Sequence, residues 1–271
     1  MPLARLDATL EMYYDDDDYT DPWRPSETIV LHHGNGKNAR LWYAWVPLLS
    51  RQYRVIRVDA RGFGRSTIPP KGYDWSLQNF GNDLIHLMDQ LEIERFHLVG
   101  ETIGGTIALQ FAHDHPERLH TVTACTSPYN FVGVGHYLDY YRMIQEEGVE
   151  GWVRNTASRR LVPGQSNPAH HQWYAEQMMQ SSGQVVMELL QYLSTVDLTP
   201  ILPQIQVPAL ILVAQNSDTN TPDRADSMAA LLPDARLVKI PNASGYVQHS
   251  EPEKCVNAWR EFVGNLSHRV S

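Results

Sequence analysis

Leu98-Val99-Gly100-Glu101-Thr102-Ile103-Gly104-Gly105 places one hydroxyl between two glycines, where an apolar run ends and a helix-forming run begins. A strand entering a helix through so tight a turn holds its central residue in a strained backbone conformation. The side-chain oxygen is then exposed above the sheet, and the next N–H points to where an oxyanion would form. The pattern suits nucleophilic attack on a carbonyl. Threonine takes positive φ less readily than serine because it is β-branched. Thr102 is therefore a functional group, a degenerate one, or an introduced one.

The elements that must position this hydroxyl follow from periodicity. Strand-like runs lie near 3–14, 28–33, 53–58, 95–100 and 119–125, with helical runs near 40–50, 76–92 and 103–115. That order predicts a mostly parallel sheet covered by helices. From Phe131 to Leu198 the strand signal disappears and aromatic, helix-forming sequence takes over, including Tyr137, Tyr140, Trp152, Trp173 and Tyr192. This reads as a helical cap over residues 131–198, with 1–130 and 199–271 forming the core domain. Strands near 207–213 and 236–240 then alternate with helices near 222–232 and 252–265.

The 271 residues are 42% hydrophobic, enough for one large domain with a substantial core. A net charge of −9 offers no basic patch for nucleic acid or an anionic membrane, and the acidic run Asp15 to Asp18 reads as a solvated turn. Two cysteines in apolar surroundings, Cys125 and Cys255, and the lack of a charged-then-apolar leader point to a reducing cytoplasm. No histidine, cysteine or carboxylate cluster has metal-ligand spacing, so neither a metal nor a cofactor is expected. The expected partner is a small-molecule substrate, and the chain is expected as a monomer or homodimer.

Four motifs in order make the chain resemble the α/β-hydrolase family, especially its enol-lactonase and small carboxylesterase members. His32-His33-Gly34-Asn35-Gly36 looks like the HGxG loop, Asp59-Ala60-Arg61-Gly62-Phe63-Gly64-Arg65-Ser66 like the D-x-R-G-x-G-x-S turn, and Gly100–Gly104 like the nucleophile elbow. The fourth is Asp218 with Pro222, spaced after Leu210–Val213 like the family's acid loop. The resemblance implies an α/β fold with a mostly parallel eight-stranded sheet, helices on both faces and a helical cap. It also implies a catalytic Thr102 and Asp218, with the Asn35 and Ile103 N–H groups as oxyanion hole.

The chain departs from the family at the histidine. Pro241-Asn242-Ala243-Ser244-Gly245-Tyr246-Val247-Gln248-His249 stands where a Gly-His pair is expected, so Tyr246 takes the place of the base, or Gly245 does when counted back from Pro252. A tyrosine is protonated at neutral pH and donates rather than accepts. Three readings follow. His249 acts as base between Thr102 and Asp218 in a hydrolase of a small ester or lactone. Alternatively, Thr102 and Tyr246 do non-hydrolytic lyase or oxygenase-type chemistry. In the third, catalysis is lost and a small ligand is bound. His33 and Tyr246 are expected to line the substrate pocket.

Overall fold

A computed structural model describes residues 2–162, 164, 166–218 and 220–270. Eight strands form one sheet: β1 (Leu3–Arg5), β2 (Glu11–Asp17), β3 (Thr28–His32), β4 (Arg54–Val58), β5 (Phe96–Glu101), β6 (Leu119–Cys125), β7 (Ala209–Ala214) and β8 (Ala235–Ile240). Their spatial order is β1-β2-β4-β3-β5-β6-β7-β8. The sheet is mixed: β1 with β2 and β2 with β4 run antiparallel, and every pair from β4 to β8 is parallel. The single strand expected near 3–14 is thus two strands of a hairpin.

The acidic run differs from expectation too. Asp15 to Asp17 belong to β2, where Arg57 pairs with Asp15 and Asp17, and Arg54 with Asp16, across the register. Alternating charge on neighbouring strands lets an acidic segment hold an extended conformation.

β3, β5 and β7 are apolar and buried on both faces, as central parallel strands covered by helices must be. Alternation divides their side chains between two cores. Val30 and Leu98 face the core that contains Phe80 and Leu84 of α2 (Leu77–Gln90) and Ile107 and Phe111 of α3 (Ile103–Asp114). Ile29, Leu31 and Val99 face a second core with Trp42, Trp45, Leu49 of the short α1 (Val46–Leu49), and Trp259 and Phe262 of α9 (Pro252–Val270).

Between β6 and β7 the chain forms α4 (His136–Arg160), α5 (Pro168–Met179) and α6 (Gly183–Leu193). α4 is interrupted at Gly148, whose φ of 72° and ψ of 178° are not helical. The Asn167 and Ser182 side chains cap α5 and α6 by accepting from Ala169 N–H and Val185 N–H. After β7 come α7 (Pro222–Leu231), then β8, the single-turn α8 (Val247–Ser250) and α9. Among the described residues no helix is long and apolar enough to cross a membrane.

Register sets the site. His32 pairs with Gly100 across β3 and β5, so the loop leaving β3 stands beside the turn leaving β5, at the carboxyl ends of the strands.

Candidate active site

Thr102 occupies the turn between β5 and α3 with φ 49° and ψ −120°. This is a conformation that a β-branched residue adopts only when its surroundings enforce it. Here they do: the Thr102 N–H donates to the Cys125 carbonyl at 3.0 Å, and its own carbonyl accepts from Gly105 N–H and Thr106 N–H. A Cβ on Gly104 would lie 2.5 Å from the His32 and His33 carbonyls, so only glycine lets α3 start this close to β3. A Cβ on Gly34 would stand 1.9 Å from Thr102 Oγ1, which places the hydroxyl directly against the loop that carries Asn35.

That loop is locked from below. Asp59 accepts from Ala39 N–H at 2.7 Å and Arg65 N–H at 2.8 Å. Ser66 Oγ bonds the Asp59 carbonyl, and Arg61 makes a buried pair with Asp83 at 2.6 Å.

A small recess opens beside Thr102. It is lined by Asn35, Lys37, Thr102 and Ile103 from the core, by Phe131, Tyr137, Tyr140, Trp152, Arg160, Leu190 and Leu193 from the inserted helices and the segment before them, and by Pro128 and Tyr246. The Ile103 amide is the first of α3, among those that a helix leaves without an internal partner. Both expected oxyanion residues thus border the same space as the hydroxyl.

The expected base and acid are not brought to Thr102. His249, 6% exposed, directs Nε2 to Glu101 Oε2 at 2.7 Å, and no ion pair joins it to Asp218. Asp218 lies exposed in the loop after β7. The reason is the charge of Glu101: a carboxylate buried at the end of β5 must be compensated. Its Oε2 also accepts from Lys37 Nζ at 2.6 Å and Gln248 Nε2 at 2.7 Å, while Gln248 Oε1 accepts from Thr126 Oγ1. Burial pushes the Glu101 carboxyl up, but the charges and hydrogen bonds of His249 and Lys37 outweigh it and hold the group well below the usual carboxylate range.

His33 is likewise used structurally. Its Nε2 accepts from Ala60 N–H at 2.9 Å and its Nδ1 donates to the Gly34 carbonyl at 2.7 Å, so the ring ties two loops together and does not border the recess. Burial lowers its pKa to about 4 and that of His32 to about 3, so both are neutral at pH 7.

Tyr246 does line the recess. Gly245, at φ 65°, lies flat on the end of α4: a Cβ there would be 2.5 Å from the Arg160 carbonyl, and Tyr246 N–H donates to that carbonyl at 2.7 Å. No larger side chain fits at 245 without displacing the end of α4. Burial pushes its phenol up to about 12, opposed by Arg160, and it remains a proton donor. Lys37 Nζ lies 4.4 Å from the Tyr246 ring centroid.

Sequence reasoning missed Lys37, Glu101 and Arg160. A signal existed for the first two: Lys37 directly follows the HGNG loop, and Glu101 is a lone charge ending an apolar strand. Opposite charges beside two motifs that meet in space form a pair.

The model of the alpha/beta hydrolase fold family matches residues 27–185, more than half of the chain. The protein belongs to the α/β-hydrolase family. Among similar proteins, one from Pseudomonas syringae named "Putative carbamate hydrolase RutD" is 28% identical over 246 residues, covering 87% of this chain and 93% of that one. The 3-oxoadipate enol-lactonase 1 of Acinetobacter baylyi is 23% identical over 88% of this chain and 89% of its own. The crystal structure of the enol-lactonase from Burkholderia xenovorans LB400 superposes with a TM-score of 0.89 at 22% identity, covering 97% of this chain and 100% of that one.

Proposed function

We propose that this α/β-hydrolase cleaves a small carboxylic ester or lactone through an acyl-Thr102 intermediate, beneath a cap formed by residues 131–198. The observation that carries the reading is Thr102 held at φ 49° in the elbow, its hydroxyl against Gly34, on a recess shared with Asn35 and Ile103. Strained backbone of this kind persists only where the surrounding structure over-determines it, and it clusters at active sites.

Thr102 Oγ1 attacks the carbonyl carbon, and the Asn35 and Ile103 N–H groups hold the oxygen that becomes negative. The proton passes to Lys37 in its neutral form. Burial lowers that ammonium to about 8 although Glu101 opposes the shift, so an amine is present near neutral pH on the wall that carries Thr102. A lysine in place of the histidine is a known variant of nucleophile activation. Lys37 returns the proton to the leaving alkoxide, and water then releases the acid from Thr102. Tyr246, a donor at all working pH values, hydrogen-bonds the substrate. His249 acts through Glu101, and Asp218 has no part in this scheme.

A second reading, ligand binding without turnover, is favoured by the engagement of His249 with Glu101 and the exposure of Asp218. Mass spectrometry of the intact protein and of its peptides after brief reaction with p-nitrophenyl acetate separates the two. The hydrolase reading predicts one acetyl group on the peptide containing Thr102, absent from Thr102→Ala. An unmodified Thr102 peptide with no nitrophenol release supports binding alone.

A further inference from the structure

The charges around the recess do not balance. Lys37 and Arg160 border it, 2% and 4% exposed, and the carboxylate among the buried groups beside them, Glu101, is held by Lys37, His249 and Gln248. Arg160, the last residue of α4, has no ion pair among the described residues. Its Nη1 donates to Thr156 Oγ1 at 2.6 Å, its side chain hydrogen-bonds the Tyr246 phenol, and its guanidinium stacks 4.8 Å from the Trp152 ring centroid, all neutral partners. A buried guanidinium that keeps its charge without a carboxylate is costly, and its fork geometry matches a carboxylate. A second observation is independent of charge: Trp152, 3% exposed and also on the recess, has a buried Nε1–H with no partner among the described residues. Trp42 and Trp259 also have unpaired indole N–H groups, but they lie in the apolar core, whereas that of Trp152 borders the recess, where a ligand can accept from it.

We infer that the recess takes a small organic acid, whose free carboxylate is held by Arg160 with the Trp152 indole N–H as a further donor. Phe131, Tyr137, Tyr140 and Leu190 supply apolar and aromatic surface for the rest of the molecule. Taken with the hydrolase reading, on which this substrate assignment rests, the substrate is an ester or lactone that carries a second, free carboxylate. A neutral ester of the same shape would leave the Arg160 charge uncompensated in the closed site.

The test is calorimetric titration with acetate, benzoate and phenylacetate, each against its neutral amide, on the wild-type protein, Arg160→Gln and Trp152→Phe. At least one acid should bind ten-fold or more tightly than its amide. That ratio should fall below two-fold in Arg160→Gln and be reduced in Trp152→Phe. If no acid of the series outbinds its amide, or if the ratio is unchanged in a folded Arg160→Gln protein, the inference is overturned. Where Arg160→Gln does not fold, the wild-type ratio together with Trp152→Phe decides. Binding of an acid without any ester turnover retains the anion site and removes the hydrolase reading. Thr102-dependent turnover with equal acid and amide binding does the reverse.

Discussion

His249 Nε2 and Glu101 Oε2 are 2.7 Å apart in the interior, which makes the histidine nearest the expected catalytic position a partner of the residue before Thr102. Removing one of the three partners of the buried Glu101 carboxylate leaves it less fully compensated and should cost stability. His249→Gln should therefore lower the melting temperature by several degrees while kcat for p-nitrophenyl acetate stays within about ten-fold. A loss near a thousand-fold at unchanged melting temperature would make His249 the base.

Gly245 is fixed by the approach of α4 to the loop after β8. Gly245→Ala meets both a φ of 65° and the Arg160 carbonyl 2.5 Å from the new Cβ. Strain and overpacking together should cost about 2 kcal/mol or more. Chemical denaturation would show this as a lower midpoint at unchanged slope.

Stability should fall on the acid side for two separable reasons. His32 and His33 have folded pKa values lowered from 6.5, so the unfolded chain takes up their protons first and stability declines as pH drops below 6.5. Glu101 is lowered from 4.5, and its contribution, fully present above that value, is lost as pH falls further. Melting curves of the wild type from neutral to acid pH should decline in both windows. Glu101→Gln should start lower and lose less in the second. A melting temperature independent of pH down to about 4 would contradict this assignment.

The pH dependence of turnover reports on Lys37. With the neutral amine as the active form, kcat/KM should rise with pH up to about 8 and then level off. Because Glu101 stabilises the ammonium, Glu101→Gln should move the inflection to lower pH, and Lys37→Met should reduce kcat at least a hundred-fold. An inflection near the ordinary histidine pKa that survives Lys37→Met would assign the base elsewhere.

The fold was legible because each motif carries a backbone requirement. Gly104 and Gly34 are imposed because a Cβ at either would collide with the neighbouring loop or hydroxyl, and apolar strands such as β5 and β7 announce burial on both faces. The hairpin in 3–17 was not legible. Its second strand is stabilised by Arg54 and Arg57 on a neighbour, which no local pattern records. At the site, the spacing singles out Thr102, Asn35, Ile103 and Tyr246, and all four border one recess. His249 turns to Glu101 instead, because the sequence shows a histidine three residues past Tyr246 but not the buried carboxylate that captures it. Arg160 lies in a helix far along the chain and reaches the site only through packing against Gly245.

The proposed acyl acceptor is Thr102. Its most direct test is the rate of p-nitrophenyl acetate hydrolysis by the wild type, Thr102→Ala and Thr102→Ser at matched concentration across neutral pH. Turnover abolished by Thr102→Ala and kept or raised by Thr102→Ser is the predicted result. Equal slow rates in all three proteins would contradict the account.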